Sequence, residues 1–291
     1  MTTAADEALR GAASDSVTFA FGDPAAEVYG LARLGIADVP GGARRGSALA
    51  LLFSGREPVA ALARGDLDLP EDAGWDALAL AGVATTTEAP LDRWTVAFDA
   101  ADGQGFALGF SALGGPAALA GDAVRLGGMD GYDQPCRVEG TVRVAGHELP
   151  VDGLGQRGHA WGDPDWERIE LARTVTAWTD GACAALVAIR PDGARTHADE
   201  ATWAALWEPD AQLEIADPRL STTYDADGHT RRAGLELWPA GEEAWARRGA
   251  GEVLCGSSLE LGALRLDCAF FRWHLEGRAG VGRYDILRRA A

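Results

Sequence analysis

Over much of this chain an apolar side chain returns at every second residue, a period that gives an extended strand one covered face and excludes long amphipathic helices. In RWTVAF, residues 93–98, Trp94, Val96 and Phe98 share a side. After the turn signal DAADGQG the rhythm returns with Phe106, Leu108 and Phe110, which predicts a hairpin. Val138, Val142 and Val144 stand in phase, Ala145, Gly146 and His147 make a turn, and residues 148–154 continue as a second strand. Leu264, Leu266, Cys268 and Phe270 alternate, the doubled Phe270 and Phe271 shift the phase as a bulge would, and Trp273 and Leu275 carry it on. Residues 277–282 then turn into a last strand over 281–287. Helical spacing is confined to short windows at 25–34 and 242–247.

Many short strands with Gly-rich turns predict an antiparallel all-β architecture, and the 38 Gly favour barrels, whose closure needs sharp bends and bulges. A chain of 291 residues has length for two such domains. The stretch LGGPAALAGDAVRLGGMDGY, residues 113–132, breaks the alternation with small residues and marks the crossing. The expected organisation is a short or disordered segment at 1–15, a barrel over 16–130 and a second barrel over 131–291.

No Lys occurs, so all 26 cationic side chains are Arg, set against 44 Asp and Glu for a net charge of -18. Such a surface repels nucleic acid and anionic membranes, and the Arg pairs are scattered rather than gathered in a patch. Without Lys there is neither a phosphate-cradling G-x-x-x-x-G-K-[ST] loop nor Schiff-base chemistry. The four Cys are widely spaced with no C-x-x-C, which reads as reduced core thiols. The five His include no i, i+4 pair, so neither a metal nor a cofactor is expected. The opening MTTAADEALRGAASDSV has no secretory pattern, and no run is long and apolar enough for a membrane span, which implies a cytoplasmic protein without an integral membrane segment.

The run GQRGHAWGDPDW, residues 155–166, concentrates costly side chains. His159 and Trp161 are i and i+2, so on an extended backbone imidazole and indole project to one side. There the indole walls an apolar cavity and the imidazole moves a proton near neutral pH. Asp163 and Asp165 flank Pro164 and can orient that imidazole; Arg157 can pair with one of them. The same residues fit a barrel-closing loop in which Arg157 and the aspartates form an ion-pair network and Trp161 and Trp166 plug the end.

This run, preceded by GYDQPCRVEG at 131–140, resembles the lipocalin-like superfamily of carotenoid 1,2-hydratases (hydroxyneurosporene synthases), and more closely its bacterial relatives with a G-Q-R-x-H-x-W-G-x-x-D-W signature. FGDP at 21–24 and YGLAR at 29–33 are similar to the start of those relatives. The resemblance implies two lipocalin/calycin-like antiparallel β-barrel domains, a hydrophobic small-molecule partner and cofactor-free chemistry. It carries over catalytic roles to His159 and Trp161. The hydratases also use a Tyr and an Asp on the next strand, and the corresponding residues 181–189 here have neither. The acid then has to come from Asp163, Asp165, Asp133 or Glu139.

Two functions follow. One is a cofactor-independent acid/base enzyme for an isoprenoid or polyketide-like molecule (hydration, isomerisation or cyclisation), with His159, Trp161, Asp163 and Asp165 catalytic. The other is a non-catalytic lipocalin-type binder. In either, Arg157, Trp166, Tyr132, Trp178 and Trp203 are candidates for holding the ligand. Glu167 and Glu170 read as solvent-facing, as do His147 and His229.

Overall fold

The computed structural model describes residues 7–39, 41–241 and 245–290. Its elements are almost all strands: β1 (Ser14–Asp23), β2 (Val28–Asp38), β3 (Arg44–Ser54), β4 (Glu57–Leu67), β5 (Ala77–Leu80), β6 (Val83–Ala89), β7 (Arg93–Asp99), β8 (Gly105–Ala112), β9 (Ala117–Ala118), the helix α1 (Gly121–Gly127), β10 (Met129–Val144) and β11 (His147–Gly162). They continue as β12 (Ile169–Thr179), β13 (Ala182–Pro191), β14 (Ala201–Glu208), β15 (Ala211–Tyr224), β16 (Thr230–Pro239), β17 (Arg247–Leu261), β18 (Leu264–Leu275) and β19 (Arg278–Arg289). Among the described residues no helix is long and apolar enough to cross a membrane.

The chain divides into two compact units, Met1–Pro116 with Asp130–Asp163, and Ala117–Met129 with Pro164–Ala291. The sequence reading set one boundary at 130/131. The structure instead adds the long hairpin of β10 and β11 to the first unit, because β10 completes its ladder on β8 and β11 on β1. The crossing over 113–132 holds the short helix α1, closed by Gly128 in the left-handed region (φ 64°) with its amide on the Val124 carbonyl.

In the first unit ten strands follow the path β4-β3-β2-β1-β11-β10-β8-β7-β6-β5, a nearly closed barrel. Its interior is filled by the alternating faces. The expected hairpin pairs Trp94 with Phe110, Val96 with Leu108 and Phe98 with Phe106. From β1 come Val17, Phe19 and Phe21, whose rings meet Phe110 and Phe106 edge-on at 5.1 and 5.3 Å. Each such buried ring contributes roughly 1.5–3 kcal/mol by its transfer from water. The helical window at 25–34 is in fact a turn followed by β2, which is buried at nearly every position. A strand covered on both faces loses its alternation, and its apolar run then mimics helical spacing. Of the window at 242–247, residues 242–244 lie outside the described residues, and Arg247 opens β17.

The second unit is a closed barrel, β12 through β19 in chain order, so no sheet edge is left to satisfy. Leu186, Leu206, Leu235, Leu237, Phe271 and Trp273 lie in its core. The phase shift at Phe270 and Phe271 is real, with the extra residue on the partner strand, where the register slips between Val253 and Cys255. All four Cys are buried free thiols. Burial pushes Cys183 and Cys255 up to about 12 and raises Cys268 well above its ordinary value, which leaves them poor nucleophiles.

The seam between β12 and β19 is tight at Gly282, where an added Cβ would lie 1.9 Å from the Thr176 carbonyl oxygen. Gly282→Ala is therefore expected to destabilise the protein by at least about 1–3 kcal/mol in chemical denaturation. Gly65→Ala, which meets nothing within 4 Å, should stay within about 0.5 kcal/mol of the parent.

Candidate functional site

Strand β11 carries Arg157, His159 and Trp161 at alternate positions, and all three face the interior of the first unit together with Val151 on the same strand. Asp15 stands opposite Trp161 and Val17 opposite His159, so Asp15 projects inward beside the imidazole. Tyr132 arrives from β10. There Gly131 permits close approach: a Cβ on it would sit 2.4 Å from the His159 carbonyl oxygen. Glu7 reaches the same buried cluster from the chain ahead of β1.

These side chains form one connected buried network. His159 is 1% exposed. Its Nε2 lies 2.7 Å from Asp15 Oδ1, which also accepts from the Trp75 indole at 2.9 Å; the Arg10 amide donates to Oδ2 at 2.7 Å. The Tyr132 hydroxyl faces His159 Nδ1 at 3.4 Å, a long contact. Arg157 Nη1 donates to the Tyr132 oxygen and Nη2 to Glu7 Oε2, while the guanidinium lies over the rings of Trp94 (5.2 Å) and Tyr132 (4.9 Å). Glu7 Oε1 accepts from the Leu91 amide at 2.9 Å and the Trp94 indole at 3.1 Å. The Trp161 ring packs edge-on against His159 at 5.0 Å, with the Arg10 guanidinium 4.6 Å from its centroid.

The electrostatics follow from these partners. Burial raises the Asp15 carboxyl, but the His159 hydrogen bond, the Arg10 amide, the attraction of His159 and the Trp75 indole outweigh it and hold the group below its ordinary value. Asp15 is thus the acceptor for the ring N–H at Nε2, an assignment made from the network, and Nδ1 faces the phenol. Burial pushes the Tyr132 phenol up to about 12 against the lowering influence of Arg157. Carboxylate, imidazole and phenol therefore form one buried chain, with the phenol held above its ordinary value.

The site unites His159, Trp161, Arg157 and Tyr132 as the sequence reading anticipated, and it leaves out both aspartates of that reading. Asp163 and Asp165 are exposed, and Asp165 accepts the Glu167 amide in a local turn. The carboxylates that meet His159 and Arg157 are Asp15 and Glu7. The expected short or disordered segment at 1–15 has its residues 1–6 outside the described residues, while Glu7 is 3% exposed and Ser14 already opens β1. Asp133 bonds Gln156, and Glu139 is exposed. Trp166, Trp178 and Trp203 belong to the second unit, Trp178 fully buried and the other two half-buried. Glu167, Glu170, His147 and His229 are exposed as expected.

In the second unit a cavity of about 390 Å³ lies at the barrel end near the turn between β15 and β16, lined by Asp225, Thr230, Val253, Asp267, Ala269 and Tyr284 among others. Tyr284 shares a 2.6 Å hydrogen bond with Thr222. Among the described residues, Asp225, Asp227 and His229 bring possible metal-ligand atoms within 4.8 Å of one another. Asp225 Oδ1 is already the acceptor for the Asp227 and His229 amides of that turn, at 3.1 and 2.9 Å.

A family model described as "Domain of unknown function (DUF7064)" matches residues 6–290. The structure is similar to a protein assigned as an AttH from Nitrosomonas europaea, at 12% identity and a TM-score of 0.67, with 96% of this chain and 93% of that one covered. It is also similar to CghA, at 14% identity and a TM-score of 0.66 over 95% of this chain and 88% of CghA. CghA with Sch210972 gives 13%, 0.65, 95% and 88%. At these identities the likeness shows the fold, a lipocalin-like pair of barrels. No curated protein matches the sequence.

Because Asp15 is held below its unfolded value, its stabilising contribution is complete above about pH 4 and is lost as pH falls through the folded value. Asp15→Asn should therefore be less stable than the parent at neutral pH and lose less stability between pH 5 and 3. Denaturation curves across that range check this, and an equal acid limb in both proteins would contradict the pairing.

Proposed function

We propose, on the premise that the chain belongs to the family of the domain of unknown function DUF7064, that it is a cofactor-independent acid/base enzyme for an apolar isoprenoid or polyketide-like small molecule. One observation carries the reading: the buried Asp15, His159 and Tyr132 chain, walled by Trp161. The resemblance of residues 155–166 to the carotenoid 1,2-hydratases supports an apolar substrate. Those enzymes use a Tyr and an Asp beside the H-x-W pair, and here Tyr132 and Asp15 stand beside His159 from other strands. CghA, a similar structure, is recorded with Sch210972, which supports a small molecule as the partner of this fold.

The chemistry narrows within that class. Tyr132 passes its proton to His159 Nδ1 and, as phenolate, takes one from the substrate; Asp15 holds the charge that develops on the ring, and the imidazolium returns its proton through the phenol oxygen to the product. Arg157 donates to the same phenol oxygen and stabilises it when it is ionised. A phenol near 12 is too weak an acid to protonate an isolated alkene, so this relay favours isomerisation or cyclisation of a carbonyl-activated substrate over hydration. His159 is then the relay group, Tyr132 the group at the substrate and Trp161 the apolar wall.

A second reading, a non-catalytic binder of lipocalin type, draws on the cavity in the closed barrel, whose volume falls in the range of ordinary ligand pockets. One experiment separates the two. Apolar molecules that copurify with the protein are identified by mass spectrometry and returned to the parent and to Tyr132→Phe. The enzyme reading expects conversion by the parent and a loss of about 10²–10⁴-fold in the folded variant; return of the molecule unchanged from both would favour the binder.

A further inference from the structure

The relay assigns no chemical role to Glu7, yet its carboxylate occupies the most elaborately prepared position in the chamber. We propose that Arg157, the Trp94 indole N–H and the Leu91 amide form a carboxylate receptor that Glu7 fills in cis. The ligand of the site is then an apolar molecule whose own carboxylate displaces Glu7. This rests on the reading of the chamber as a small-molecule site and deepens it by naming the ligand's anchoring group.

The receptor is built independently of its occupant. Trp94 and Arg157 stand on β7 and β11, and Leu91 (φ 58°) lies in the turn between β6 and β7, all held by the strand ladder. The guanidinium is fixed against the faces of Trp94 and Tyr132, and Nη1 is committed to the Tyr132 oxygen. Glu7, by contrast, comes on residues 7–13, which precede the first strand. The ties of that segment include the Arg10 amide on Asp15 and the Ala13 carbonyl accepting the Asp38 amide at 2.8 Å, with Leu9 packed on the core. A receptor fixed on paired strands, with an occupant carried on a segment outside the ladder, is an arrangement in which the occupant can be exchanged.

Glu7 also fills the receptor incompletely. It takes the guanidinium through Nη2, while Arg157 Nε is buried without a hydrogen-bond partner. Nε and Nη2 lie on one edge of the guanidinium and match the two oxygens of a carboxylate held side-on. Glu7 spends its other oxygen on Leu91 and Trp94 and leaves that edge half used. A carboxylate free of the backbone tether can set its plane to take both nitrogens. The same segment lays Arg10 over Trp161, so its departure uncovers the indole wall beside the relay. A ligand anchored on Arg157 would be one side chain away from the Tyr132 oxygen, and residues 7–13 would act as a built-in competitor that closes the chamber when no ligand is present.

Full-length parent, Glu7→Ala and Glu7→Gln are titrated calorimetrically with decanoate and with methyl decanoate. Loss of the competitor should tighten decanoate binding by about 10-fold or more in Glu7→Ala, leave the ester unaffected, and be abolished by adding Arg157→Met. If Glu7→Ala does not fold, Glu7→Gln takes its place, with decanoate expected to raise its melting temperature more than the parent's. The proposal is overturned by a folded Glu7 variant whose decanoate affinity stays within about twofold of the parent, by equal gains for acid and ester, or by two Glu7 variants that stay unfolded at saturating decanoate. No turnover enters this measurement, so failure of the receptor and failure of the proton relay read out separately.

Discussion

A guanidinium sealed inside a barrel has to be neutralised, and much of the first unit is arranged around that need. Removing an arginine from water costs several kcal/mol unless a partner and further hydrogen bonds replace the solvent. Arg157 is 1% exposed, and the replacements come from elements far apart in the chain: Glu7 before the first strand, Tyr132 on β10 and Trp94 on β7. Each of these is fixed in turn by the demand. Glu7 draws the N-terminal segment across the barrel end, that segment brings the Arg10 amide to Asp15, and Asp15 holds His159. The buried chain of Asp15, His159 and Tyr132 and the course of residues 7–13 beside it thus go with the burial of one cation.

The two units treat their interiors differently. In the first, large rings from β1, β7 and β8 interlock and leave the polar network at one end as the part with chemistry. In the second, pairing closes the barrel completely, the floor is apolar, and a cavity with polar lining opens near the turn between β15 and β16. A full core supplies rigidity, which a proton relay needs because its distances must hold to a few tenths of an ångström. A barrel with a partly hollow end supplies volume instead.

How far the residues alone carried the reading can be judged strand by strand. Trp94, Val96 and Phe98 against Phe106, Leu108 and Phe110 were legible because alternation and a Gly-containing turn are local properties. The same holds for His159 and Trp161 on one side of a strand, whereas the irregularity read at Phe270 and Phe271 falls on the partner strand, between Val253 and Cys255. β2 was not legible, because burial on both faces erased its period. The division of the chain was misread at 130/131 for a related reason: the hairpin of β10 and β11 looks like any other hairpin until its neighbours β8 and β1 are known. Asp163 and Asp165 were credited with orienting the imidazole on nearness in sequence, and both face solvent.

Sequence by itself determined that this chain would be all-β, would favour closed or nearly closed sheets, and would present His159 and Trp161 on one strand face, since a period of two residues says which side chains share a side. It carries no information on what lies across that side. The partners Asp15 and Glu7 stand 144 and 150 residues from His159 and Arg157. Only the order in which strands pair, and the register of β1 on β11, brings them there. Tertiary structure therefore decided the acid, the ion pair and the closure of the site, because hydrogen bonding between distant strands is a property of the assembled sheet and not of any segment within it.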